Sequence, residues 1–290
     1  MSQLKELSVC VSTLGRLSAV DRLLQSLSRM ADQEFDDFEV VIVDQNPDSR
    51  IRNLAADYAN ILPRVLYVAT PGDTGSSKGR NVAAKGSRGR WMLFSDDDAW
   101  MIPGMGTRIR DKILQDHENI LWLGRMVNQQ GQSQRRQYPR QAEWIRDAAA
   151  LWRVSAFCMI SGSVFGKIGP FDERLGLGTY FGGDEDTDLL LRAMAQGFPI
   201  RFEPRLTFGH VANPHPSDDK VLGQARGRGA LVRKYETTSL GQNLRQSLNQ
   251  YLWDIRWKRP VVRMLGRNES ARHKDLILSG VAQGYRDWQG

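Results

Sequence analysis

The chain of 290 residues is 41% hydrophobic and 25% charged, with a net charge of +7, a composition that builds a sizeable globular core and excludes a disordered or fibrous chain. No basic start followed by an apolar run and no stretch of about 18 apolar residues occurs, so neither a secretory leader nor a membrane-spanning helix is expected. Cys10 and Cys158 lie far apart and outside any CxxC or Cys/His pattern, which supports neither a disulfide framework nor a zinc site and makes the reducing cytoplasm the expected compartment.

Four short runs rich in Val, Ile and aromatic residues predict buried strands: "LSVCVST" (7–13), "EVVIVD" (39–44), "RVLYVAT" (64–70) and "RWMLFSD" (90–96). Between the first two, Leu17, Val20, Leu23, Leu24, Leu27 and Met30 recur at helical spacing, and Ser76–Ser87 and Met105–His117 are the next predicted helices. This alternation implies an α/β fold, a doubly wound and mainly parallel sheet with helices on both faces. Ligands of such sheets bind beyond the carboxyl ends of the strands. Each run ends there in polar residues: Thr13 with Arg16, Asp44 with Asp48, Thr70 with Asp73, and Asp96 to Asp98.

After "NILWLGRMV" the Gln- and Arg-rich stretch 128–143 reads as a loop. "SGSVFGKIGPFDE" (161–173) then leads through "RLGLGTYFGGDED" into a predicted helix, "DTDLLLRAMAQG", with Gly197 as its stop. "IRFEP" (200–204) predicts one more strand. Beyond it the chain turns basic and helical, with Leu240, Leu244, Leu248, Leu252 and Ile255 in one apolar stripe. Residues 220–290 hold 14 Lys or Arg against 5 Asp or Glu, a balance of +9, which leaves −2 for residues 1–219. The positive charge therefore belongs to the tail, and no nucleic-acid partner is expected.

Asp96 and Asp98, one residue apart at a strand end, can converge on one divalent cation; a hard ion such as Mg²⁺ or Mn²⁺ prefers oxygen ligands and often takes only one or two carboxylates beside phosphate and water. A solvated turn capping the next helix is the competing reading. Asp97 between them has a separate role, toward a nucleotide ribose or the backbone. A second cluster, Asp184, Glu185, Asp186 and Asp188, follows Gly182 and Gly183. Acidic residues in a first helical turn favour its dipole, with Asp184 and Thr187 as a cap; alternatively, the glycines allow close approach of a ligand to carboxylates able to accept a hydroxyl proton. "TPGDTGSSKGRN" (70–81) lacks the Lys-Ser/Thr ending of a P-loop, yet its helix start with Lys78 and Arg80 can hold an anion. His210 is structural or a ligand by its position past a strand; His117, His215 and His273 stand in no motif, and no GxSxG serine occurs.

In order and spacing these pieces resemble the inverting nucleotide-sugar glycosyltransferases of family 2, with the GT-A fold, over roughly residues 6–212. The matching features are "VSTLGR", "EVVIVDQNPDS", "GSSKGRNVA", "LFSDDD" as a DXD motif, "GSVFGKIGPFDERLG", "GGDEDTDLLLRA" with its ED pair, and the stretch Pro204 to His210. The resemblance implies a catalytic domain over 1–219, with a nucleotide-binding half to about residue 100 and an acceptor-binding half over 101–219, followed by a basic helical region at 220–290. It implies that Thr13, Arg16 and Asp44 line the nucleoside pocket with Arg80 or Asn81 close by. Asp96 faces the ribose or sugar, Asp98 binds Mn²⁺ or Mg²⁺, and His210 reaches the metal or diphosphate. Asp186 is the general base, and Gly162 and Ser163 form the acceptor-side floor near Glu185. Trp100, Tyr180 or Phe181 stacks on a sugar ring. The sequence departs from the family at "VDQNPDS", where Gln45 and Pro47 replace part of an Asp-Asp-Gly-Ser pattern.

The expected function is transfer of a sugar, from a UDP-sugar foremost, to a glycan or lipid-linked glycan in cell-surface polysaccharide synthesis. A sugar nucleotidyltransferase and a non-catalytic nucleotide-sugar-binding module are the rival classes. The tail has two readings: Leu240 to Ile255 packs on the catalytic domain, or it lies with Arg245, Arg256, Lys258 and Arg259 on an anionic membrane. Packing is expected for its first half, and a basic exposed surface for "RWKRPVVR".

Overall fold

The computed structural model describes residues 5–115, 119–134, 138–154, 158–211 and 215–290; His117 lies outside them. The first half alternates strand and helix as expected: β1 (Leu7–Thr13), α1 (Leu17–Gln33), β2 (Phe38–Asp44), α2 (Arg52–Tyr58), β3 (Val65–Ala69), α3 (Ser76–Gly86) and β4 (Trp91–Asp96). There follow β5 (Ala99–Met101), α4 (Met105–Leu114), β6 (Leu121–Val127), β7 (Glu143–Ile145), the single turn α5 (Leu151–Val154), β8 (Cys158–Ser161), α6 (Gly162–Ile168), α7 (Glu185–Ala195) and β9 (Ile200–His210). Three helices end the chain: α8 (Asp218–Lys234), α9 (Ser239–Met264) and α10 (Asn268–Asp287).

One sheet runs in the order β3-β2-β1-β4-β8-β6-β9-β5, with β7 also on β9. Its longest pairings, β1 with β2 and with β4, and β6 with β9, are parallel, while the shorter β8, β5 and β7 pair antiparallel. Because side chains alternate across a strand, Leu7, Val9, Val11, Val40, Ile42 and Leu93 face one layer, where Leu23, Leu24 and Leu27 of α1 and Ile109 and Ile113 of α4 cover them. Cys10, Val41, Val43, Met92 and Phe94 face the other, against Ala83 of α3 and Leu189 to Leu191 of α7. Strands buried on both faces have no polar side to expose, which is why β1, β2 and β4 read as mainly apolar runs; the polar Ser8 and Glu39 within them are buried and bonded to each other at 2.7 Å.

The second layer continues without interruption into the tail. Ala230, Leu231, Val232, Tyr235, Leu244, Leu248, Val281 and Trp288 belong to the same buried cluster as the strand residues. The stripe Leu240 to Ile255 therefore packs inward over its length, with Leu244, Leu248 and Ile255 buried. Tail and body also meet through glycines. A Cβ on Gly182 would stand 3.1 Å from the backbone of Gly223, and one on Gly227 only 2.5 Å from the Gly183 carbonyl. The pair before the acidic cluster thus admits α8 as a close neighbour, in addition to bordering the cavity described below.

Candidate active site

Beyond the carboxyl ends of β1, β4 and β9 lies a cavity of about 840 Å³, bordered by Thr13, Arg16, Arg80, Asp96, Asp97, Asp98, Glu185, Asp186 and His210. The three consecutive aspartates do different things there. Asp97 turns inward: its carboxylate accepts from Thr13 Oγ1 at 2.8 Å and Arg16 Nη1 at 3.1 Å. Burial pushes its carboxyl up to about 6, against the opposing pull of Arg16 and Thr13. Asp98 accepts from the same Arg16 nitrogen at 2.5 Å and lies 3.0 Å from His210 Nε2. Burial alone would raise its pKa, but the hydrogen bond and charge of His210, with Arg16 behind them, hold it below the usual carboxylate value. His210 is raised in turn, since its bond to Asp98 and the Asp96 charge outweigh the effect of burial.

Asp96, Asp98 and His210 each offer a ligand atom, all within 4.8 Å of one another. Register explains the convergence. Asp96 pairs with Ser12 at the end of β4, and β5, two residues on, pairs Ala99 with His210 across the sheet. Two carboxylates and one imidazole suit a hard-to-borderline divalent cation such as Mn²⁺ or Mg²⁺.

Arg80, on α3, joins this cluster to the second one. Its guanidinium donates to Asp96 at 3.0 Å, Glu185 at 2.8 Å and Asp186 at 3.2 Å, with its side chain only 10% exposed. Burial opposes its charge, but Asp186, Glu185 and Asp96 together raise its pKa well above the ordinary arginine value. The acidic residues reach it because Asp184 adopts a left-handed backbone, φ 65°, and starts α7 there, a conformation Asp tolerates better than most residues. Asp184 forms no side-chain cap; it pairs with Arg228 of α8 at 2.9 Å. Asp188 is fully buried on Lys234, Arg192 and Tyr235. Among the four acidic residues of the cluster, Asp186 combines partial exposure, 29% of its side chain, with a place on the cavity wall and contact with Arg80.

Several of the expected site residues are held by other parts of the fold. Asp44 is fully buried beneath the strand ends, with its carboxylate accepting from Asn46 N, Asn46 Nδ2, Ile51 N and Tyr67 Oη. It shapes the turn after β2 and does not border the cavity. Asn81 faces away, pinned to the Phe171 backbone and Glu173. Gly162 and Ser163 open α6, where Ser163 meets the capping Ser161 at 3.0 Å. Trp100 crosses β9 where a Cβ on Gly209 would lie 1.8 Å from its ring, and Arg22 stacks on it. Tyr180 is held by Asp287 and Arg226, and Phe181 by Trp288, on the tail side. Glu185 does reach the cavity wall but is 7% exposed and engaged by Arg80 and Ser76.

The cavity also has lining to which the sequence patterns gave no role. Gln45 ties the end of β2 to the carbonyls of Asp73 and Gly75, at 2.6 and 3.1 Å. Tyr138 and Trp152 come from the loop side, and Lys220, Gln224 and Arg228 come from α8. The excess of positive charge in the tail was the available signal for Lys220 and Arg228.

A doubly wound sheet carrying these two acidic clusters at its ligand edge is the arrangement of a GT-A glycosyltransferase. A family model described as "Glycosyl transferase family 2" matches residues 8–173, and the chain belongs to that family. An "uncharacterized glycosyltransferase" of Haemophilus influenzae is 30% identical over 117 residues, which cover 40% of this chain and 37% of that protein. Among solved structures, S. aureus TarS superposes with a TM-score of 0.63 at 18% identity, over 85% of this chain and 43% of that one. A mannosyltransferase of Pyrobaculum calidifontis, in complex with GDP-Man and Mn²⁺, superposes at 0.66 with 11% identity, over 99% and 89% of the two chains. The chain thus spans less than half the length of the Haemophilus protein and of the longer TarS chain. These structural likenesses establish the shared fold.

Proposed function

We propose that the protein is a metal-dependent, inverting glycosyltransferase of hexosyltransferase type. It moves a sugar from a nucleoside diphosphate sugar, a UDP-sugar foremost, to a hydroxyl of a glycan or lipid-linked glycan in cell-surface polysaccharide synthesis. The observation that carries this reading is the pairing, on one cavity, of the Asp96, Asp98 and His210 donor set with Asp186, the two joined by Arg80. The structural neighbours support it, since TarS structures are complexes with UDP and with UDP-GlcNAc, and the mannosyltransferase holds GDP-Man and Mn²⁺. Two buried free thiols fit a reducing cytoplasmic setting. No helix among the described residues is long and apolar enough to cross a membrane.

In this reading Asp98, with Asp96 and His210, holds the cation, which when bound supplies charge neutralisation for the leaving diphosphate. Arg16, half-exposed at the mouth, and Lys220 add positive charge on the same side. Asp186 takes the proton from the acceptor hydroxyl at its carboxylate oxygen as that hydroxyl attacks the sugar carbon. Arg80 fixes the position of Asp186 relative to Asp96. Attack opposite the departing diphosphate inverts the sugar carbon.

Incubation with a panel of nucleotide sugars and Mn²⁺, following release of the nucleoside diphosphate, tests the reading. Turnover by the wild type with one donor, and its loss in Asp186→Asn with donor binding retained, is the expected result. Equal turnover by Asp186→Asn and wild type removes the base assignment, and binding without release from any donor supports a non-catalytic module.

A further inference from the structure

While one apolar face of α9 packs inward, its C-terminal half carries a second. Trp253, Trp257, Val261, Met264 and Leu265 are all exposed, Met264 to 85%. At 3.6 residues per turn they share an arc of about 120°, roughly opposite the buried Leu244, Leu248 and Ile255. The two tryptophan rings lie 5.6 Å apart and form one continuous surface. Cations border it: Arg256 and Arg263 fall on one flank and Lys258 on the other, all exposed. The one acidic residue within the arc, Asp254, is paired with Lys258 at 2.9 Å.

We propose that this face of α9 docks on the surface of an anionic phospholipid bilayer. Exposed apolar residues in such a patch mark an interaction surface, and the charges choose the partner. Indole rings prefer the boundary between headgroups and acyl chains. Arginines and lysine beside them meet anionic headgroups, whose field extends about one Debye length from the surface. A second copy of the chain would bring the same cationic rims together and gain no countercharge. The helix that carries this face also reaches the cavity wall, nearer its N-terminal end. Asn243, in the first part of α9, accepts from the backbone N–H of Ala149 at 2.9 Å, and the turn that follows carries the cavity residue Trp152. Docking therefore anchors the helix that supports this wall. Of the two readings of the Leu240 to Ile255 stripe, packing on the domain is the one the leucines adopt, and the proposed membrane face is formed by other residues of the same helix, part of them in the exposed basic "RWKRPVVR".

Flotation of the full chain with vesicles of phosphatidylglycerol and phosphatidylcholine, and with phosphatidylcholine alone, tests this without any nucleotide sugar, so its outcome is independent of the proposed transfer. The wild type is expected to float with the anionic vesicles at low salt and to be released at high salt. Trp253→Ser/Trp257→Ser is expected to bind at least about tenfold more weakly, with unchanged melting because both rings are exposed. Arg256→Glu/Arg263→Glu is expected to lose the preference for anionic over neutral vesicles. Absence of wild-type flotation at low salt, or flotation of the tryptophan variant equal to wild type, overturns the proposal. So does a concentration-dependent dimer that the tryptophan variant dissolves in the absence of vesicle binding, which assigns the face to a second copy.

Discussion

Replacing Arg80 with methionine keeps most of the side-chain volume and removes one charge that three carboxylates share. In the wild type, Glu185 is 7% exposed and has Arg80 and the Ser76 hydroxyl, at 3.1 Å, as partners; Asp96 and Asp186 are more open, with 36% and 29% of their side chains exposed. Water can therefore re-solvate Asp96 and Asp186 in the variant, whereas Glu185 is left as a buried charge with one neutral donor. Removing one partner of a buried ion pair costs about 3–5 kcal/mol, and the exposure of two of the three carboxylates places this case at the lower end, about 3 kcal/mol. In chains near this size each kcal/mol moves Tm by roughly 2–4 °C, so thermal unfolding followed by circular dichroism is expected about 6–12 °C lower. Arg80→Met/Glu185→Gln is expected to recover a large part of that loss, because the orphaned charge is gone. Arg80→Lys is expected to recover little, since a compact ammonium cannot reproduce the planar fork across Glu185 and Asp96. An Arg80→Met protein melting within about 2 °C of wild type, or a double variant no more stable than the single one, would show that Arg80 does not compensate a buried Glu185 charge.

Three further outcomes are expected. Burial of Glu203 favours its neutral form, but hydrogen bonds from Arg205 and Lys112 prevail and bring its pKa down to about 2, below an ordinary value of 4.5; with the folded value depressed, its stabilisation is present above pH 4.5 and is lost as the pH falls toward 2. Acid unfolding of Glu203→Gln should therefore show a flatter dependence on pH through that window than wild type, and identical profiles contradict the assignment. A Cβ on Gly284 would come within 1.9 Å of the Arg226 carbonyl, so Gly284→Val is expected to separate α10 from α8, destabilise by about 1–3 kcal/mol or more, and let limited proteolysis release the C-terminal helix; unchanged resistance counts against a tail that is part of the core. Gly209→Ala meets the Trp100 ring and is expected to disturb the β5 and β9 pairing that positions His210 beside Asp98, weakening Mn²⁺ binding measured by calorimetry; wild-type affinity would show that this register is not needed for the donor set.

Long, doubly buried strands were legible because apolar residues dominate both of their faces: β1 spans the expected residues and β2 and β4 differ at single positions. β9 extends to His210, six residues past the apolar signal, because the parallel β6 pairs with Thr207 to Gly209 and the antiparallel β5 with Phe208 to His210, so polar and small residues such as Thr207 and Gly209 are held in the sheet. The three-residue β5 and four-residue β8 have too few positions for a period. Asp98, Asp186 and His210 stood out as acidic or basic residues at strand and helix ends. Arg80 did not show its bridging role, since its partners lie 16 to 106 positions away in the chain and only tertiary packing brings them to one guanidinium. For Asp44 the sequence marks a carboxylate at a strand end, whereas its bonds to the following turn and to Tyr67 depend on packing that composition does not show. In α9 two apolar arcs overlap along one helix, and the leucine spacing concealed the tryptophan face until the packing of the first was known.

In the proposed transferase, Asp96, Asp98 and His210 carry a nucleoside diphosphate through a divalent cation. Calorimetric titration with UDP and with GDP, in Mn²⁺ and in chelator, tests it most directly on wild type and on Asp98→Ala. Mn²⁺-dependent binding of one of the two to the wild type is expected, at least about tenfold weaker in Asp98→Ala, with the melting temperature of the variant retained. Binding of equal strength in chelator, or by Asp98→Ala in Mn²⁺, contradicts it.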